Sequence, residues 1–108
     1  MKRYEYLCDA ASLRILADDG IVYYSNNFGD GIFDVYICKK KEVPKMAQFQ
    51  GQFIISKEGW LMHHDFDWDD KEKKHKLTKG IYSVYLDCET CDFYIYKMEE
   101  EHLRGENQ

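Results

Sequence analysis

A chain of 108 residues is the usual length of one domain and can bury a core without disulfide or metal support. Aromatic residues make up 16% of the chain and proline occurs once, at Pro44, a composition that favours strands over helices. The net charge of −5 argues against general nucleic-acid binding, because an acidic surface repels the phosphate backbone.

The N-terminal segment, residues 1–6, lacks the apolar run of a signal peptide, and no stretch approaches the roughly 18 apolar residues of a membrane span. The sequence therefore predicts a cytoplasmic protein with no membrane partner. In the cytosol its four cysteines are expected as free thiols or metal ligands. Two of them, Cys8 and Cys38, are expected to pack as small core residues.

The first half of the chain carries three strand patterns and one ambiguous segment. Residues 3–8 alternate and predict a strand. Residues 10–17 fit either a helix capped by Asp9 or a strand that returns through the next segment; we adopt the strand. Residues 20–25 and 32–38 are rich in β-branched and aromatic side chains, and the glycine-containing loop between them predicts a central hairpin.

The second half predicts two more hairpins separated by a charged loop. Residues 48–56 and 60–66 form the first, and counting by two places Trp60 and Met62 on its core face. Residues 67–79 are polar and are expected to form an exposed, mobile loop with at most a helical turn. Residues 81–86 and 93–96 form the last hairpin through the loop 87–92.

These patterns predict an all-β fold, or a mostly β fold with a short helix, built as an antiparallel β-sandwich or a small open barrel of six to eight strands. No crossover helix is recognisable, so no parallel pair is expected. Residues 1–98 are expected to form a single domain. Residues 99–108 are expected to be a polar, acidic C-terminal tail or short helix.

Cys88 and Cys91 have the spacing by which a hairpin turn presents two thiolates to zinc. A complete site needs two more ligands, and the sequence contains neither a second such pair nor a spaced histidine pair. Zinc at these two residues is therefore one hypothesis. Two plain thiols and no cofactor are the simpler interpretation.

Large aromatic side chains adjoin concentrated charge only after residue 60. An aromatic anchor surrounded by carboxylates suits a basic protein surface. The sequence thus predicts a partner-binding segment made of Phe66, Asp67, Trp68, Asp69 and Asp70.

No nucleophile, acid-base pair or phosphate-binding loop is recognisable, so catalysis lacks a candidate site. Residues 29–36 resemble a Gly-Asp-Gly hairpin of small bacterial β-domains, some of them similar to toxin-immunity proteins. The first hypothesis is a small acidic intracellular protein of inhibitor, immunity or anti-defence type, acting by stoichiometric protein binding. Its alternatives are a β-domain that binds a nucleotide-like ligand, or acts as an enzyme, through a Tyr/Trp-lined pocket between sheets, and a zinc-supported structural module.

Overall fold

The computed structural model of the chain describes residues 1–8, 12–25, 31–64 and 72–98. Within these ranges the chain forms nine strands and one short 3-10 turn. The strands are β1 (Lys2–Cys8), β2 (Ser12–Ala17), β3 (Gly20–Ser25), β4 (Gly31–Cys38), β5 (Gln48–Ile55), β6 (Gly59–His64), β7 (Glu72–Leu77), β8 (Gly80–Asp87) and β9 (Asp92–Lys97), and the 3-10 turn is Lys40–Glu42.

The strands form two packed sheets, and the predicted all-β sandwich is confirmed. The described residues form nine strands, so the expected number of six to eight is wrong. The five-stranded sheet has the order β1-β4-β9-β8-β5 and the four-stranded sheet the order β3-β2-β6-β7. The expectation of purely antiparallel pairing is wrong at one place, since β4 and β9 run parallel. A parallel pair needs a long crossover. Here the crossover is made of strands rather than a helix, because four strands lie between β4 and β9 in sequence.

The strand interpretation of residues 12–17 is confirmed, because β2 pairs with β3 in an antiparallel hairpin. Leu13 and Ile15 are fully buried on the core face of β2. Residues two apart in sequence lie on the same face of a strand but not of a helix. The predicted hairpin of β8 and β9 is also confirmed. Its turn contains Cys91 in the left-handed region at φ 63°, where a residue with a side chain is uncommon.

The two other predicted hairpins are wrong, because the chain changes sheet at each of them. β3 belongs to the four-stranded sheet and β4 to the five-stranded one, and the same separation holds for β6 and β5. A short polar connection between two strands is compatible with either a hairpin or a step between sheets, so local sequence did not distinguish them. The loop residues 26–30 lie outside the described residues.

The step from β5 to β6 is packed tightly at Gly59. A Cβ atom on this buried glycine would lie 2.8 Å from the carbonyl oxygen of Leu16 and would also collide with Cδ1 of Ile55. The backbone N–H of Ser56 donates a hydrogen bond of 3.0 Å to Asp18 Oδ2 in the β2–β3 turn. This hydrogen bond connects the step from β5 to β6 with the β2–β3 hairpin.

The core lies between the sheets and draws on every strand that the structure describes except β3 for its fully enclosed side chains. The face predicted for β6 is wrong, since Leu61 joins this core whereas Met62 is buried on the opposite face and Trp60 is half-buried. The buried cluster comprises Tyr6, Leu13, Ile15, Phe33, Val35, Phe53, Ile55, Leu61, Leu77, Tyr82, Val84, Leu86, Phe93 and Ile95.

The predicted loop of residues 67–79 is wrong over Glu72–Leu77, which forms the edge strand β7 along β6. Its polarity reflects the edge position, where exposed lysines are common. Leu77 is nevertheless buried, and the ring of His75 stacks on Tyr4 at 3.9 Å between centroids. Residues 65–71 and 99–108 lie outside the described residues. Nowhere in the described ranges is there a helix whose length and apolar character would let it cross a membrane.

Tyr6 joins the two sheets through its hydroxyl group. Its ring packs in the core beside Phe33, at 4.8 Å between centroids. The hydroxyl accepts a 2.9 Å hydrogen bond from the backbone N–H of Arg14 on β2 and donates one to the carbonyl oxygen of Met62 on β6. Arg14 and Met62 are register partners, so a side chain of β1 completes the backbone pairing of the other sheet.

Arg14 is itself an unusual buried group. Its side chain lies on the face of the four-stranded sheet that points away from the core, because its neighbour Ile15 points inward. Arg14 is only 8% exposed, and its Nε and Nη2 atoms have no hydrogen-bond partner among the described residues. A buried cation with unsatisfied donors is costly for a folded domain.

Candidate functional site

The residues singled out for partner binding, Phe66, Asp67, Trp68, Asp69 and Asp70, all lie outside the described residues. That site stays a prediction.

The two candidate zinc ligands lie in the β8–β9 turn, where Cys88 is exposed and Cys91 is half-buried. Both are free thiols, and the backbone N–H of Cys91 donates to the carbonyl oxygen of Asp87 at 2.7 Å. The described part of the chain contains no group of three or more His, Cys, Asp or Glu residues placed to hold a metal ion. The remaining zinc ligands are therefore not identified, and zinc stays a hypothesis.

The outer face of the five-stranded sheet carries an aromatic row that sequence reasoning missed. Tyr36, Tyr94, Tyr85 and Phe49 occupy directly paired positions on β4, β9, β8 and β5. Tyr36, Tyr94 and Tyr85 point away from the core, because their chain neighbours Val35, Phe93 and Val84 point into it. Phe49 lies on the same face, since its ring contacts that of Tyr85. We call these four residues the aromatic row.

The rings of the aromatic row contact one another. Tyr36 and Tyr94 stack at 4.8 Å with an interplanar angle of 14°, and Phe49 meets the edge of Tyr85 at 5.5 Å. Phe49 is 55% exposed and the three tyrosines are half-buried, so part of each ring faces solvent. Tyr96 extends the row by stacking on Tyr85 at 6.0 Å. The strands thus present a continuous, rigid aromatic surface.

A row of carboxylates runs beside the aromatic row. Glu5 pairs with Asp34 across β1 and β4, and Asp87 pairs with Asp92 across β8 and β9. Asp34 and Asp92 are joined by a hydrogen bond of 2.9 Å from the Asp34 backbone N–H to Asp92 Oδ1. These four residues, the acidic row, cross four of the five strands. Arg3 offsets one charge, since its Nη2 lies 3.0 Å from Asp34 Oδ1.

The two rows are chemically coupled. Partial burial and the nearby charges of Asp34 and Asp92 raise the pKa of Tyr36 above its usual value. The pKa of Tyr94 is raised mainly by partial burial, and the nearby Tyr36, Asp92 and Asp87 raise it further. Both phenols therefore stay protonated at neutral pH and can donate hydrogen bonds. The surface combines aromatic area, hydroxyl donors and negative charge.

A cleft of about 570 Å³ opens at the C-terminal ends of the parallel strands β4 and β9. It differs from the Tyr/Trp-lined pocket expected between the sheets, which stays a prediction, because this cleft lies at a sheet end and four of its lining residues are lysines. The lining residues are Cys38, Lys39, Lys40, Lys41, Tyr96, Lys97 and Met98.

Comparisons of the chain with family models, with curated proteins and with solved structures give no match. The case for function therefore depends on the surfaces themselves.

A sequence signal for the two rows exists in hindsight. Asp34 precedes Tyr36 by two positions, Asp92 precedes Tyr94 by two, and Tyr85 precedes Asp87 by two. Side chains two apart in a strand share a face, so each strand contributes one carboxylate and one tyrosine to the same surface. Only the register between strands that are distant in sequence aligns these pairs into rows.

The expectation that Cys38 packs in the core is wrong, since it is half-buried at the cleft and is absent from the core cluster. The side chain of Cys8 lies outside the described residues. Burial, with a smaller contribution from Glu42, raises the pKa of the Cys38 thiol to about 11. The thiolate is the reactive form of cysteine, so Cys38 is expected to be inert at neutral pH.

We therefore expect Cys88 to react much faster than Cys38 with iodoacetamide at pH 8. At that pH roughly one Cys38 thiol in a thousand is ionised, whereas Cys88 is exposed at a turn. Peptide mapping by mass spectrometry over a time course measures both rates. In urea the two residues should react alike, and equal rates in the folded protein would contradict the burial of Cys38.

Proposed function

We propose that this protein is a stoichiometric binding protein that captures a protein partner with a basic surface through the outer face of the five-stranded sheet. The observation that supports the proposal most directly is the alignment of the acidic row beside the aromatic row. Tyrosine gives large contact area at low cost in side-chain entropy, and tyrosine and arginine are enriched where interfaces gain most of their energy.

The charge of this face supports a basic partner. Three of the four carboxylates in the acidic row are not offset by Arg3, and the chain as a whole carries a charge of −5. Such a face attracts basic proteins over long range and raises their association rate. An acidic face that occupies the basic working surface of another protein would act as an inhibitor, which is the immunity or anti-defence type of function.

The proposed compartment is the cytoplasm. The three cysteines whose side chains the structure describes, Cys38, Cys88 and Cys91, are all free thiols. Free thiols are typical of a reducing compartment.

The experiment begins with capture from native lysate, followed by a binding titration with each purified candidate. Glu5→Lys combined with Asp87→Lys reverses the two ends of the acidic row and is expected to weaken binding about tenfold or more, mainly by slowing association. Tyr94→Ala, at the centre of the aromatic row, is expected to weaken it at least as much by speeding dissociation.

The matched control is Asp19→Lys combined with Glu58→Lys, which makes the same change in charge at exposed positions away from both rows. It should retain binding within about threefold. A captured protein that binds all variants equally well, or whose contact surface is acidic, contradicts the proposal.

A further inference from the structure

The lysine-lined cleft is a second, chemically different surface of the same sheet. Four of its lining residues are the lysines Lys39, Lys40, Lys41 and Lys97. The cleft begins at Cys38, four residues beyond Asp34 of the acidic row, a separation of about 13 Å along an extended strand. An acidic protein therefore concentrates positive charge around one cavity.

The nearby carboxylate of Glu42 offsets at most one of the three positive charges on Lys39, Lys40 and Lys41. Glu42 uses its Oε1 atom to accept a 2.8 Å hydrogen bond from the backbone N–H of Lys39. Its Oε2 atom lies 3.9 Å from the terminal amine of Met1. Glu42 is thus engaged by two donors, and the lysine side chains that follow Cys38 are exposed.

The lining residues of the cleft other than the lysines are neutral. Tyr96 is only 8% exposed, and Met98 and the protonated thiol of Cys38 add no charge at neutral pH. The amine of Lys97 donates to Thr78 Oγ1 at 3.1 Å, and Thr78 is not a lining residue of the cleft, so the positive charge there comes mainly from Lys39, Lys40 and Lys41. The volume of about 570 Å³ falls within the range of about 300–1,000 Å³ that is usual for small-molecule sites.

We propose that this cleft binds a small phosphate-type polyanion, such as pyrophosphate or a nucleoside diphosphate. Lysine ammonium groups bind phosphate oxygens as point charges, and several of them match a ligand with several negative charges. A long polyanion such as nucleic acid fits less well, because it would meet the acidic row about 13 Å away along the sheet. The site is separate from the proposed protein-binding face, so each can fail without the other.

The test is a ¹H–¹⁵N NMR titration of the full chain with inorganic pyrophosphate and with ADP at fixed ionic strength. The amide signals of residues 38–41 and 96–98 are expected to shift. Lys40→Glu combined with Lys41→Glu is expected to weaken binding about tenfold or more. The matched control, Lys57→Glu combined with Lys74→Glu, changes two exposed lysines outside the cleft and should bind within about twofold of the unmodified chain.

Tighter binding of ADP than of pyrophosphate would support the proposal and indicate that the nucleoside contributes further contacts in the cleft. Vesicles containing phosphatidylserine are added as a third probe. Equal losses in both double lysine variants, no shift with pyrophosphate or ADP, or binding only to the vesicles would overturn the proposal.

Discussion

Tyr6→Phe is expected to lower the free energy of unfolding by about 2–4 kcal/mol, although it removes a single oxygen atom. The hydroxyl of Tyr6 accepts from the backbone N–H of Arg14 and donates to the carbonyl oxygen of Met62. Phenylalanine keeps the ring beside Phe33 but leaves two buried backbone groups without this partner. Each unsatisfied buried group costs about 1–3 kcal/mol. Urea unfolding measured by fluorescence gives the difference.

The control for this change is Tyr23→Phe on β3, where the side chain is 60% exposed and water can replace any bond that is lost. Its effect should stay within about 0.5 kcal/mol. If Tyr6→Phe is equally mild, the hydroxyl does not complete the pairing of β2 with β6.

Arg14→Met is expected to raise the free energy of unfolding by about 1–3 kcal/mol, the reverse of the usual effect of a buried substitution. Methionine is unbranched and flexible enough to occupy much of the same space. It removes the guanidinium, whose Nε and Nη2 atoms have no partner among the described residues. Thermal and urea unfolding should both detect the gain.

Arg3→Met serves as the comparison, because Arg3 is exposed and its ion pair with Asp34 lies at the surface. It should leave the free energy of unfolding nearly unchanged. A loss of several kcal/mol in Arg14→Met would show that the buried guanidinium is paired, and the argument from its unsatisfied donors would be wrong.

The strands could be predicted from the sequence because their signals are local. Alternation in β1, and the β-branched and aromatic side chains of β4 and β8, predict strands, and the structure places strands at all three. The edge strand β7 escaped prediction because it is mostly polar, and among its residues from Lys74 to Leu77 only Leu77 is buried.

The β8–β9 hairpin could be predicted from the sequence, but pairing between strands that are distant in sequence could not. The sequence of β3 and β4 is typical of a hairpin, yet β4 pairs with β1 and β9 in the other sheet. The same limit applies to function. The two Asp-x-Tyr pairs of β4 and β9 and the Tyr-x-Asp pair of β8 were visible in the sequence, but their alignment into two rows follows from the register between these strands.

The place of β9 in the five-stranded sheet has a consequence for synthesis. β9 is the last of the described strands in sequence but the middle strand of its sheet, between β4 and β8. Until the ribosome has released residues 92–97, the β1–β4 and β5–β8 pairs have no strand to join them, and each presents an open edge. Open edges and distant pairings favour slow folding and association with other chains. Completion of this sheet must therefore follow the synthesis of every other strand that the structure describes, and the aromatic and acidic rows are complete only at that step.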